Sequence, residues 1–127
     1  MFSAKRNFGN LGEKAAAKFL KGLGYTIVES NFENKQGRKI GEIDIIVRDN
    51  ENKELVFVEV KTRNMAKYSQ TLPEENITYQ KLRRMEKAAN IYLLHNKLGN
   101  EAYRFDAISV WLNGENNQAR VKHIKSL

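Results

Sequence analysis

Two apolar runs joined by a short polar turn, GEIDIIVRDNENKELVFVEVK from Gly41 to Lys61, constrain this chain more than any other stretch. Ile43, Ile45 and Val47 alternate with Glu42, Asp44 and Ile46, the period of two that marks a strand. Leu55 to Val60 is apolar on both faces, the pattern of a strand covered on two sides. Its end carries Glu59 and Lys61 on the face of Leu55 and Phe57. Charges that finish a buried strand are costly unless they are paired or bound to something. If Asp44 faces Glu59 in an antiparallel hairpin, then Asp49 faces Glu54, and Asn50-Glu51-Asn52-Lys53 closes a turn of ordinary length. The two carboxylates then have Cβ atoms about 4.5–5.5 Å apart, where like charges repel. A divalent cation between them removes that penalty, and hard oxygen ligands suit Mg2+ or Mn2+.

Asp44, followed across a hairpin by Glu59-x-Lys61, resembles the signature of the PD-(D/E)xK nuclease superfamily. With GEID, FVEVKTR and RFD in that order behind a helix bearing Glu13, the resemblance becomes more specific. From about Gly12 to Val110 the chain is similar to the uncharacterised bacterial YraN-like family of that superfamily, near the archaeal Holliday junction resolvases. One departure is that Gly41-Glu42-Ile43 precedes Asp44 where many superfamily members have a proline. The resemblance implies an α/β fold with a restriction-endonuclease-like αβββαβ core: a mixed central sheet with a helix on each side. At 127 residues the chain reads as a single endonuclease-like domain, 1–127, and residues 1–9, with Lys5 and Arg6 beside Phe2 and Phe8, read as a loose arm. The resemblance also implies metal-dependent hydrolysis of DNA phosphodiesters, on branched or recombination intermediates. On this reading Asp44 and Glu59 hold Mg2+ or Mn2+, and Lys61 orients water and stabilises developing charge. Glu13 assists from the first helix, and Lys81 matches the lysine that the family carries on its second helix. Junction resolvases act in pairs on two-fold symmetric substrates, which implies a homodimer.

Charge points to the same class of partner. The net charge of +7 and sequence pI of about 9.7 suit a polyanion, with DNA ahead of RNA. A nucleic-acid-binding module that keeps the fold but does not cleave is the alternative, and a scaffold using its basic face is a third reading. The absence of cysteine excludes disulfides and zinc-thiolate sites. No apolar run approaches the roughly 18 residues that span a bilayer, so no membrane partner is expected. The start, MFSAKRNFG, lacks the apolar core of a signal peptide. The expected location is the cytoplasm.

Around the hairpin, periodicity predicts a helix from about Asn10 to Leu23. Leu11, Ala15, Ala16, Phe19, Leu20 and Leu23 gather on one side, and Lys14, Lys18 and Lys21 opposite. Glu13 lies at the edge of the apolar face, either complementing the helix dipole or assisting the acid pair. Tyr25 to Glu33 reads as a strand. Thr62 to Glu75 reads as a loop, in which Arg63 and Lys67 suit phosphate contacts and Tyr68 suits stacking on a base. A second helix is expected from Ile77 to His95, with Thr78, Leu82, Met85, Ala89, Tyr92 and Leu93 inward and Arg83, Arg84 and Lys87 outward. Lys81 shares the inward stripe of Met85 and Ala88, either snorkelling to the rim or reaching the site as a DNA contact. Tyr103 to Leu112 and Ala119 to Lys125 read as strands, with Asp106 a structural partner for Arg104 or a loop backbone.

Overall fold

The computed structural model describes residues 4–33, 42–64, 78–113 and 118–127. Its elements are α1 (Ala4–Gly22), β1 (Thr26–Glu33), β2 (Glu42–Asp49), β3 (Glu54–Asn64), α2 (Tyr79–His95), β4 (Tyr103–Asn113) and β5 (Gln118–Ile124). The strands form one sheet in chain order, β1-β2-β3-β4-β5. Every neighbouring pair is antiparallel except β3 and β4. Parallel neighbours need a long crossover, and α2 lies in it. The expected α/β order, mixed sheet and helix on each face are all present.

The central strand shows why the fold has two layers of core. Val56, Val58 and Val60 pack with Ala16 and Leu20 of α1, and with Ile45, Val47, Ile108 and Val110. Leu55 and Phe57 point the other way, to Met85, Ala88, Ala89, Tyr92 and Leu93 of α2. The run from Leu55 to Val60 is buried throughout, because each face meets a helix. Fully burying one such side chain contributes about 1.5–3 kcal/mol, so both helices are held mainly by this strand and its neighbours.

The expected hairpin register holds. Asp49 pairs with Glu54 and Ile45 with Val58, around a turn at 50–53. Four details differ from expectation. α1 starts at Ala4, so residues 4–9 are helical where a loose arm was expected. No proline interrupts them, and extending a formed helix is cheap, even through Gly9 at about 1 kcal/mol. β3 continues to Asn64, in register with β4 up to Asn64↔Leu112. Arg63 therefore belongs to a strand and not to a loop. Leu11 and Leu23 are more than half exposed, and the ridge of α1 that meets the sheet is the narrower Gly12-Ala16-Leu20 stripe. Thr78 is the N-cap of α2, its Oγ1 accepting the Lys81 N–H at 3.1 Å, so its role is local hydrogen bonding and not core packing.

Candidate functional site

The strict alternation expected of β2 breaks at Asp44. Ile45 and Val47 pack on the α1 side, yet Ile43 packs with Ile46 on the α2 side. The partner strand explains the change. Asn31, between the pairs Ser30↔Ile45 and Phe32↔Ile43, has φ +56°, a left-handed conformation that asparagine tolerates better than β-branched residues do. That twist carries Phe32 and Ile43 together to the α2-side core.

Beside this irregularity β2 and β3 part. Their ladder ends at Ile45↔Val58 although both strands continue. Asp44 and Glu59 are thus the next residues in register but do not form a ladder pair. The Asp44 carboxylate instead accepts the Val60 N–H at 2.8 Å. A side chain has taken the place of the neighbouring strand, which holds the carboxyl group in the opening between β2 and β3.

Three further elements bring charge to this opening. β3 contributes Glu59, 6% exposed, and half-buried Lys61, whose Nζ lies 3.8 Å from Glu59 Oε1. From the first turn of α2, Lys81 forms an ion pair with the same oxygen. α1 contributes Glu13, near enough to Asp44 and Glu59 for their charges to interact. Gly12 allows this approach: a Cβ there would lie 2.7 Å from Thr62 Cβ and closer still to its hydroxyl.

The electrostatics are those of crowded acids. Burial, then the Glu59 carboxylate, pushes the Asp44 pKa up to about 8, even though the Val60 hydrogen bond opposes the rise. Burial and the carboxylates of Glu42 and Glu59 raise Glu13, while a hydrogen bond with Asn31 works against them. Burial and the neighbouring Lys81 ammonium lower Lys61. For Lys81 burial acts downward, but Glu59 outweighs it and the net shift is upward.

Asp44, Glu59, Lys61, Lys81 and Glu13 are therefore together. Arg63 is 9% exposed within β3, which replaces its expected place on a mobile phosphate-binding loop. Lys67 and Tyr68 lie outside the described residues. Sequence reading passed over Gly12 and Asn31; a glycine on a helix's buried ridge and an asparagine among β-formers are the signals each leaves.

Donor chemistry decides whether a divalent cation suits this place. The carboxylates are hard oxygen ligands of the kind Mg2+ and Mn2+ prefer, and Asp44, its pKa raised by burial and by Glu59, would be relieved by a cation beside it. Among the described residues no group of three or more His, Asp or Glu side chains is gathered closely enough to hold a metal. The protein would supply two carboxylates, which matches the habit of Mg2+ of keeping several waters and substrate oxygens. The residues fit.

The fold and this cluster define the class: an α/β protein with a restriction-endonuclease-like core and an acid–lysine cluster where its central strands diverge. The chain belongs to the uncharacterised protein family UPF0102, whose model matches residues 12–110. It is 40% identical over 122 residues to a UPF0102 protein of Caldicellulosiruptor saccharolyticus, covering 96% of this chain and 97% of that one. A UPF0102 protein of Clostridium kluyveri is 40% identical over 125 residues, covering 98% and 96%. Another, of Clostridium botulinum strain Loch Maree, is 40% identical over 127 residues, covering 99% and 97%. Among the described residues no helix is long and apolar enough to cross a membrane.

Proposed function

We propose that this protein is a metal-dependent nuclease that hydrolyses DNA phosphodiester bonds, on branched or recombination intermediates in the cytoplasm. One observation carries the reading. Two carboxylates, Asp44 and Glu59, meet two lysines at the point where β2 and β3 separate, with a third acid arriving from α1. Asp44 is held beside Glu59 with its pKa raised by burial and by that carboxylate, the kind of perturbation that clusters at functional sites.

Asp44 and Glu59 would hold Mg2+ or Mn2+. A cation bound there supplies Lewis-acid polarisation of the phosphate and acidifies bound water. Lys61, partly exposed and with its pKa lowered, orients the attacking water and meets negative charge as it develops on the phosphate oxygens. Lys81 presents a second ammonium from the rim of α2 to the phosphate. Glu13, whose raised pKa makes it a better proton acceptor, assists from α1.

Cleavage of linear, flapped and four-way DNA in Mn2+ by the wild type and Asp44→Asn tests the reading. Cutting that the variant loses supports it; equal cutting, or none by either protein, contradicts it. A second reading, a DNA-binding module that does not cleave, draws on Lys81. Its ammonium already neutralises Glu59, so that acid is balanced without any cation. DNA binding with no cleavage of any substrate would favour this second reading.

A further inference from the structure

The outer face of α2 takes no part in that chemistry, and it has a character of its own. Tyr79, the first residue of the helix, is 75% exposed. Its ring adds little to the core, yet it is not isolated. The Arg83 guanidinium lies 5.8 Å from the ring centroid, one turn and about 6 Å of rise along the helix. Arg84 and Lys87 are also exposed, and Glu86 is the one acid in the helix sequence. The Thr78 cap anchors the backbone from which Tyr79 projects. Two residues further on, Lys81 turns inward to Glu59, so this face begins at the same helical turn as the candidate site.

A polyanion fits the surplus of positive charge, since arginines and lysines in such a row pair with phosphates. The tyrosine narrows the choice. Bases inside a duplex are stacked on one another, and their faces are closed to an outside ring. A base freed from the duplex can stack on an exposed aromatic side chain, and such stacking tolerates any sequence. A neighbouring arginine adds a cation–π contribution.

We propose that the outer face of α2 binds an unpaired nucleic-acid strand next to the reacting phosphate, with a base on Tyr79 and phosphates on Arg83, Arg84 and Lys87. This rests on the nuclease reading and deepens it. The substrate class becomes DNA with a single-stranded segment, such as a flap, a tail or the open arm of a junction, and not intact duplex.

Fluorescence anisotropy without added divalent cation separates binding from cleavage. The probes are a labelled single-stranded oligonucleotide, the blunt duplex that contains it, and that duplex with a single-stranded tail. Tyr79→Ala is expected to weaken binding to the single strand and the tailed duplex by about tenfold, within the range for one stacked base. Blunt duplex should change by less than about twofold, because stacking is unavailable there. Tyr79→Phe keeps the ring and should bind as the wild type does. Unchanged single-strand binding in Tyr79→Ala, equal weakening on all three probes, or a loss in Tyr79→Phe as large as in Tyr79→Ala overturns the proposal. If Asp44-dependent cleavage persists in any of these cases, the nuclease reading stands without it. Wild-type protein that binds none of the probes overturns the proposal too, and the cleavage assay in Mn2+ then decides the nuclease reading separately.

Discussion

Two clusters of buried charge sit on this sheet, five residues apart along β2 and β3, roughly 16 Å of strand. At the turn end, Arg104 bonds Asp49 at 2.8 Å, Glu54 at 2.5 Å, both oxygens of Asp106 at 3.0 and 3.2 Å, and the Tyr25 hydroxyl at 2.9 Å. Asp106 also receives the Ser126 N–H at 3.0 Å and lies 2.7 Å from His123 Nε2. Asp49 takes N–H bonds from Glu51 and Asn52 of the turn. Burial alone would raise both aspartates. Against it, Arg104 and Asn52 bring Asp49 down to about 2, and His123, Arg104 and Ser126 lower Asp106. At the other end burial acts on Asp44 in the same direction, but Glu59 adds to it and the pKa climbs to about 8. The same residue type on one strand ends up on opposite sides of its ordinary value. The difference is a matched guanidinium at one end and a crowd of acids at the other. The first is a cluster that finishes the fold; the second keeps a carboxyl of raised pKa even with Lys61 and Lys81 beside Glu59, and on the proposed reading a cation completes it.

The largest effect should come from breaking the balanced end. Arg104→Ala leaves Asp49, Glu54 and Asp106 without their shared cation, and should lower stability by about 3–5 kcal/mol, the scale of stranding buried charge. Urea unfolding checks this. A loss below about 1 kcal/mol, the value of an exposed pair, would mean the network is not the support described.

A smaller loss is expected from the contact that brings α1 to the site. Gly12→Ala should cost about 1–3 kcal/mol, because the added methyl overlaps Thr62. Thr62→Ala in the same chain should recover much of it. Additive losses in the double variant, read by the same unfolding curves, would show that the two residues do not meet.

The smallest effect has the opposite sign. Asp44 ionises near about 3.9 in an unfolded chain but near about 8 in the fold. Between those values the folded state holds the extra proton, so stability falls as pH rises. Asp49 behaves inversely: its contribution is complete above about pH 4 and is lost as pH falls toward 2. Asp44→Asn should therefore raise the stability of the metal-free protein at neutral pH by on the order of 1 kcal/mol, discounted because Asp44 is only partly enclosed. Thermal melts across pH 4–8 should be flatter for the variant than for the wild type; parallel curves would contradict the crowding.

Much of this contrast was legible beforehand. Alternation and a turn of fitting length set the register from Asp49↔Glu54 to Ile45↔Val58, and the inward stripe of α2 placed Lys81 beside Met85 and Ala88. Asp106 could be read as a partner of Arg104 from two residues' spacing on one strand face. What escaped depended on pairing between distant segments. β3 extends through Arg63 because β4 is long enough to pair with it, which no local pattern in TRNMAKYSQ reveals. His123 joins Asp106 only once β5 lies beside β4. The parting of β2 and β3 lies beside the backbone twist at Asn31 on a third strand, and Gly12 matters only when a helix presses on Thr62. Local period is written in local sequence; close approach is not.

Calorimetric titration of Mn2+ into the metal-free protein near neutral pH, repeated in two buffers of different ionisation heat, tests the unbalanced end most directly. Wild-type protein should bind the ion and release close to one proton, because Asp44 must give up the proton that crowding makes it hold. Asp44→Asn should bind far more weakly and release none. Equal affinity in the two proteins, or wild-type binding with no proton released, would contradict the claim that Asp44 and Glu59 form a site left for a cation.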